Sequence, residues 1–412
     1  MQDILECCCG LDVHKESLVA CLLKGPVNQQ PSSEIRVFST LRDDLEALKT
    51  WLVEQNCMHV AMESTGIYWI PVYEILETAF DSSISLVIAN ARHMKNVPGK
   101  KTDMKDAEWI ATLLRAGLLN GSFIPDKDIR ELRELTRYRK NVIADITSQK
   151  NRIEKFLQSC GFRLSSFISD IFGVSGKGII KHLYTHGSIT IDDLDGYLKT
   201  QTRSKINEIM SAINGKLDKH QMQFLKMIFE HLESLESHLS EIESQINLFI
   251  QKYDHQIDLL DSIPGIDKVA ASTILAEIGT DMSKFKTAEH ICSWAGLSPG
   301  NNESAGKKKR VSVNKGNPYI KSILCEVAWV ITRQKKSYLC AWYWKMRQRK
   351  GHKKAIVALA RKLLVIIYTM LKTDTMYDES CFDIRRQQTE QKRVVKMVSE
   401  LKKLGFEVKQ PV

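Results

Sequence analysis

Residues 4–23, ILECCCGLDVHKESLVACLL, hold two apolar runs of strand length, 4–13 and 17–23, separated by His14, Lys15 and Glu16. Runs this short, rich in Leu, Val, Ile and Cys and broken by a charged turn, predict paired strands rather than one helix. Outward from them, further strand-like runs lie at 35–40, 59–63 and 84–89. Apolar residues spaced by threes and fours predict helices at 42–55, 67–79 and 103–119. The order is three strands, helix, strand, helix, strand, helix.

That order predicts an α/β domain of ribonuclease-H-like, or RuvC-like, type over residues 1–125, in which an antiparallel meander is extended by parallel strands and helices. After Pro125 the pattern changes to long helices. Leu132, Leu135, Val142, Ile146, Ile153 and Phe156 mark one amphipathic helix, closed by Cys160 and Gly161. Leu225, Ile228, Leu232, Leu235, Leu239, Ile242, Ile246, Phe249 and Tyr253 alternate spacings of three and four, the signature of a coiled coil. Residues 126–258 therefore read as a helical, coiled-coil linker and dimerisation region with a small helical insert at 162–218. Residues 259–374 read as a compact all-α domain with a helix-hairpin-helix element, and 375–412 as a polar tail with no core pattern before 394–404, either a peripheral helix or a partly disordered end.

The net charge is +10, yet residues 301–372 alone carry 18 Lys and Arg against Glu303 and Glu326, a local +16. The basicity is a C-terminal property, which favours polyanionic partners for that region. Ten cysteines include the run Cys7, Cys8 and Cys9 and show no C-x-x-C pair. Neither a zinc site nor a disulfide framework is implied; reduced thiols used as small buried hydrophobes fit a cytoplasmic chain. The N-terminal residues lack the basic region of a signal peptide. No apolar run reaches membrane-spanning length, so no membrane partner is expected.

Four acids end or open these elements. Asp12 closes the first strand in GLDVHKES, Glu63 the fourth in VAMESTG, and Asp103 and Asp106 open the last helix in KTDMKDAEWIATLL. The i, i+3 spacing puts Asp103 and Asp106 on one helical face. Converging carboxylates repel one another, and Mg²⁺ or Mn²⁺ with hard oxygen ligands is the usual remedy. Two such ions would clamp a scissile phosphate during an in-line displacement. Taken singly, each acid has a plainer reading: Asp103 as a helix cap, Glu63 as the residue before the Ser64-Thr65-Gly66 turn. Their joint placement points to phosphodiester chemistry. His14 and Lys15 fit a solvated loop equally well.

Downstream, SIPGIDKVAASTILAEIG at 262–279 reads as the helix-hairpin-helix. Pro264 and Gly265 make the turn, and free N–H groups of the helix opening near Asp267 would cradle a phosphate without reading sequence. A simple Pro-Gly turn between packed helices is the alternative. In WAGLSPGNNESAGKKKRVSVNKGNPYIKS, Gly296, Pro299, Gly300 and Gly306 punctuate a loop, and Asn317-Pro318 reads as an N-cap with Pro in the first turn. Ser304 lies on that loop beside Lys307, Lys308, Lys309, Arg310 and Lys315, a setting for a hydroxyl that attacks a phosphate while cations neutralise the developing charge. On composition alone, a plain loop hydroxyl is the better reading of Ser304. Ser304 and Lys307 also match S-x-x-K, but that pair needs a buried helix start, which Gly306 and four successive cations oppose. Further on, Arg333, Lys335, Lys336, Lys345, Arg347 and Arg349 interleave with Trp329, Tyr338, Trp342, Tyr343 and Trp344, a composition suited to a nucleic-acid groove.

In order, GLDVHKES, E-S-T-G, K-T-D-x-x-D-A, the P-G-I hairpin, G-L-x-P, S-x-G-K and a K-x-G loop make the chain resemble the DEDD-type insertion-sequence transposases. These are the bridge-RNA-guided serine recombinases often called the one-ten family, and the match covers about 4–372. The resemblance implies a RuvC-like domain with its metal-binding acids at Asp12, Glu63, Asp103 and Asp106, and a transposase domain with its nucleophile at Ser304. It further implies a composite site between protomers, a homodimer or tetramer through the heptad helix, and a structured guide RNA that pairs with donor and target DNA. Ala305 departs from the glycine frequent in the family, and Ser298 and Ser312 stay open as alternates.

The expectation is thus a bacterial, nucleoid-associated DNA transposase or recombinase that cleaves and rejoins strands to excise and insert an insertion sequence. A metal-dependent nuclease resembling a Holliday-junction resolvase, and a nonenzymatic nucleic-acid-binding protein, are the rival readings.

Overall fold

The computed structural model describes residues 3–64, 66–89, 106–300, 303–304, 307–308, 313, 315–335 and 337–405. The chain divides into two compact units, Met1–Ile124 and Pro125–Val412.

In the first unit β1 (Cys7–Val13), β2 (Ser17–Lys24) and β3 (Ser32–Ser39) form the expected antiparallel meander. After α1 (Arg42–Glu54), β4 (His59–Glu63) joins β1 in parallel; after α2 (Trp69–Leu76), β5 (Ser85–Ala89) joins β4 in parallel. The sheet runs β3-β2-β1-β4-β5 and is followed by α3 (Asp106–Arg115). Strand β3 begins at Ser32 rather than residue 35 because Ser32, Ser33 and Glu34 pair by backbone with Lys24, Leu23 and Leu22, a bond that side-chain polarity does not reveal.

Pleating sends alternate residues to opposite faces. Cys9, Leu11 and Val13 pack under α1 and α2 with Leu45, Leu48, Trp51, Val72 and Leu76. Cys8 goes the other way, into a core with Ala61, Ala89, Ala107, Ile110 and Ala111 beneath α3. The cysteine run therefore serves two cores, and the described cysteines are free thiols. Burial pushes Cys8 up to about 12. A hydrogen bond from Cys57, with help from Lys24 and Arg115 against partial burial, holds Cys7 below the usual thiol range.

The second unit is mostly helical. Its spine is α4 (Lys127–Ser159), which receives α9 (Lys219–Ile250) antiparallel: Arg139 reaches Glu243, Lys150 reaches Glu236, and Phe156 meets Phe224 with ring centroids 5.0 Å apart. A capping box between Asp218 and Gln221 starts α9. Its heptad stripe, including Leu225, Ile228, Leu232, Ile242 and Ile246, is buried, and α4 of the same chain is its principal neighbour. Between the two helices, the insert forms α5 (Val174–His186), α6 (Ile191–Tyr197), α7 (Thr200–Arg203) and α8 (Ile206–Ala212).

The remainder comprises α10 (Asp254–Asp261), α11 (Lys268–Ile278), α12 (Ala288–Trp294), the short hairpin β6 (Glu303–Ser304) and β7 (Lys307–Lys308), α13 (Pro318–Ile331), α14 (Tyr338–Lys350), α15 (His352–Thr373) and α16 (Ser380–Lys403). Helix α15 is the centre of this group, burying Ile356, Leu359, Leu363, Leu364 and Ile367. Among the described residues no helix is long and apolar enough to cross a membrane.

Candidate active site and nucleic-acid interface

The acids lie at one edge of the sheet. Leu11 is opposite Met62 in the parallel β1–β4 ladder, so Asp12 and Glu63 are the next positions on adjacent strands, both at C-terminal ends. Asp12 shares the face of Cys8 and Gly10; Glu63 shares that of Ala61, and both faces look toward α3. Gly10 sets how near α3 comes: a Cβ there would lie 2.2 Å from the Ala107 carbonyl oxygen and 2.4 Å from the Ala111 nitrogen. The Cys8 thiol donates to the Ala111 carbonyl at 3.5 Å from the same face. Asp106, exposed, is the residue before Ala107. Asp12 and Glu63 therefore share one end of the sheet and one face, and α3 opens at Asp106 on that face.

Asp12 is 22% exposed and faces His14 Nε2 at 3.2 Å. Asp103 lies outside the described residues. Among the described residues, no three His, Cys, Asp or Glu side chains come close enough to hold one metal ion. The carboxylate donors suit Mg²⁺ or Mn²⁺ by chemistry, and the described three do not by themselves make the cage.

In the second unit, Ser304 is in β6, its Cα opposite Lys307, with Glu303 opposite Lys308. Pro299 bridges Val313 further down. The segment is a two-stranded hairpin where an irregular loop was expected, since its lysines conceal any apolar alternation. Lys309, Arg310, Ser312 and Lys336 lie outside the described residues; Lys315 is exposed and Ser298 half-buried. At the foot of the hairpin a Cβ on Gly316 would sit 2.2 Å from the Gly296 nitrogen and 2.5 Å from the Trp294 carbonyl oxygen, so the two legs touch backbone to backbone.

Asn317 then caps α13 as expected, its Oδ1 accepting from the Tyr319 and Ile320 amides at 2.9 and 3.3 Å. Its Nδ2 donates to Glu277 Oε2 at 2.6 Å, a contact the sequence did not announce. Glu277, on α11, is 1% exposed. Arg137 of α4 grips it with two hydrogen bonds of 2.8 and 2.9 Å, and Arg133 lies at 3.6 Å. Arg133 also donates to the Ala276 and Glu277 carbonyls. Burial pulls Arg133 down to about 10, with Glu277 opposing, so it stays charged at neutral pH. The available signal was Arg133 and Arg137 at i, i+4 on one helix.

The Pro264-Gly265 turn joins α10 to α11, with Gly265 in the left-handed region at φ +89°. It rests on the end of α13, where a Cβ would meet Ile331 at 2.9 Å. Asp267 occupies the N-cap of α11 and accepts from the Ala270 amide at 2.7 Å, which leaves fewer free N–H groups for a phosphate than the sequence suggested. Pro264 shares a shallow groove with Arg333, Gln334, Lys335, Ser337 and Glu379. On α14, Arg347 and Arg349 are exposed, and the Arg347 guanidinium lies over the half-exposed Trp344 ring, 4.6 Å from its centroid.

Residues 9–162 match the DEDD domain model of IS110 elements, described as "Transposase", and residues 257–344 match "Transposase IS116/IS110/IS902 family". The chain carries the domains of an IS110-family transposase. It is 24% identical over 311 residues to the insertion element IS110 uncharacterized 43.6 kDa protein of Streptomyces coelicolor, covering 68% of this chain and 73% of that one. It is 21% identical over 307 residues to the transposase for insertion sequence element IS1111A of Coxiella burnetii, covering 73% and 75%. It is 32% identical over 129 residues to the pilin gene-inverting protein of Moraxella bovis, covering 31% and 40%. The chain spans about half the length of some curated relatives, 47% of one from Sinorhizobium fredii that is 22% identical over 236 residues. Transposases and gene-inverting proteins are families of enzymes acting on DNA.

Proposed function

We propose that this chain is a DNA transposase or recombinase that cleaves and rejoins strands through a serine–DNA intermediate. What supports this reading is the placement of Asp12 and Glu63 on adjacent strands at one end of the sheet, with α3 opening at Asp106 on the side they face, in a chain whose later domain bears a basic serine hairpin. The Ser304 oxygen attacks a DNA phosphorus, forming the serine–phosphorus bond and breaking the phosphorus–sugar oxygen bond, with the serine proton passing to the departing sugar oxygen through solvent. Attack by a second strand's hydroxyl reverses these changes and frees the serine. The lysines flanking Ser304 offset the negative charge that builds at the phosphate. Asp12, Glu63, Asp103 and Asp106 would hold Mg²⁺ or Mn²⁺, whose chemistry is charge neutralisation at phosphate oxygens.

In this reading residues 1–125 are the RuvC-like domain, 126–258 the helical linker, 259–374 the serine domain and 375–412 a tail. Donor and target DNA occupy the basic surface of Gly265, Arg333, Lys335, Arg347 and Arg349, and a structured guide RNA selects the sequences. Self-association uses faces of α9 left open, which carry Met227 and Leu248, 60% and 67% exposed. DNA inversion, in the name of the Moraxella relative, is the same chemistry on differently arranged ends. The experiment is denaturing capture of covalent protein–DNA adducts on a plasmid bearing the gene with its native flanks. Adducts form with the unaltered chain and vanish in Ser304→Ala; Asp12→Ala retains DNA binding and loses strand cleavage. Adducts persisting in Ser304→Ala would refute the serine assignment.

A further inference from the structure

We propose that Glu277 is a positioning residue for the serine-bearing hairpin, acting through Asn317; this rests on Ser304 being the nucleophile. Asn317 is the residue at which the returning leg of the hairpin becomes α13. Its backbone amide donates to the Trp294 carbonyl at 3.0 Å, its Oδ1 caps the helix, and its Nδ2 reaches Glu277. Capping alone leaves an asparagine amide free to tilt. The second contact fixes its plane, because Glu277 is itself held by two hydrogen bonds from Arg137 and by Arg133. Three helices, α4, α11 and α13, thus converge on the foot of the hairpin.

Stability is a poor reason for this arrangement. A buried carboxylate among guanidiniums loses hydration that its partners only roughly restore, and apolar packing often does as well. What the group supplies is direction. The hairpin legs touch at Gly296 and Gly316, bridge at Pro299 and Val313, and pair at Ser304 and Lys307, so a tilt at the foot is passed to the serine. A misplacement of about 1 Å at a reacting group costs about 100-fold in rate.

The test uses the full chain on a plasmid carrying its own gene and native flanking DNA, transcribed in the same reaction. The adduct-forming rate at saturating DNA, the half-saturating DNA concentration and Tm are measured for Asn317→Ser, Asn317→Asp and the double variant Glu277→Gln/Asn317→Asp. Serine and aspartate cap as well as asparagine, so folding is retained. Serine cannot reach Glu277, and aspartate repels it. Both single variants are expected to lose about 100-fold in adduct rate, with half-saturation little changed; Tm stays near the parent in Asn317→Ser and falls in Asn317→Asp, where two carboxylates face each other in a buried site. In the double variant the amide introduced on α11 donates to the carboxylate introduced at the cap, and the rate recovers. Unaltered rates in both single variants, with Ser304→Ala inactive, would overturn the positioning role alone. So would rate losses matched by equal losses of DNA binding and Tm, without recovery in the double variant. Adducts in Ser304→Ala would overturn the serine reading together with this one.

Discussion

Replacing Gly10 by alanine tests the approach of α3 to β1, on which the placement of Asp106 depends. The added methyl would stand 2.2 Å from the Ala107 carbonyl oxygen and 2.4 Å from the Ala111 nitrogen, both main-chain atoms of a helix. Ordinary contact needs about 3.4 Å, so the helix must move off by about 1 Å or the strand must bow. Overpacking of this kind costs about 2 kcal/mol. That corresponds to a roughly 30-fold rise in local opening, readable as faster amide exchange by mass spectrometry in peptides covering 7–13 and 106–115. The Gly121→Ala variant is the control: its methyl would meet only Val87 Cγ1, at 3.6 Å, and exchange should stay near the parent. Because Asp106 moves with α3, strand cleavage should fall by about 100-fold in Gly10→Ala. Exchange in Gly10→Ala equal to the parent would refute the close approach of α3 to β1, and with it the placement of Asp106 on the face of Asp12.

Arg115 is 1% exposed and donates to Asp3 at 2.6 Å and to the carbonyls of Glu6, Gly25 and Pro26. Arg115→Met should cost about 3 kcal/mol by stranding these acceptors, and a urea midpoint equal to the parent would contradict it. The thiol of Cys7 is held low by Cys57, so its thiolate fraction rises at a lower pH than that of Cys8 or Cys292, which burial pushes up. Alkylation by iodoacetamide near neutral pH should therefore select Cys7 over Cys8 and Cys292, and faster labelling of either buried thiol would overturn this. Arg347→Ala should weaken DNA binding similarly across sequences and reduce the salt slope by about 1; an unchanged slope would remove Arg347 from the phosphate contacts.

The sheet was legible because each strand of the first unit is short, apolar and followed by a polar turn, and because parallel β4 and β5 follow helices. Asp12 and Glu63 could be read for the same reason, as acids ending buried strands. Other features arise only from long-range packing. Glu277 in ILAEIG reads as a solvated helix position, and its partners Arg133 and Arg137 are about 140 residues away. The stripe on α9 gave the width of a buried face without saying which helix covers it. The hairpin at 303–308 was hidden because lysines fill it, and Asp267 could not be known to occupy the helix start offered to a phosphate.

The antiparallel pair α4 and α9 has a mechanical consequence. From Arg133, tied to α11, to Ser159, where α4 ends, the helix runs about 40 Å at 1.5 Å per residue. The insert is carried on the outer reach of this boom, with Lys177 and Lys181 lashed to Glu236 and Glu233. Its radius is thus counted in helical turns. Excising matched heptads from both arms would draw the insert inward by about 10 Å per heptad while leaving the serine-bearing end as it is.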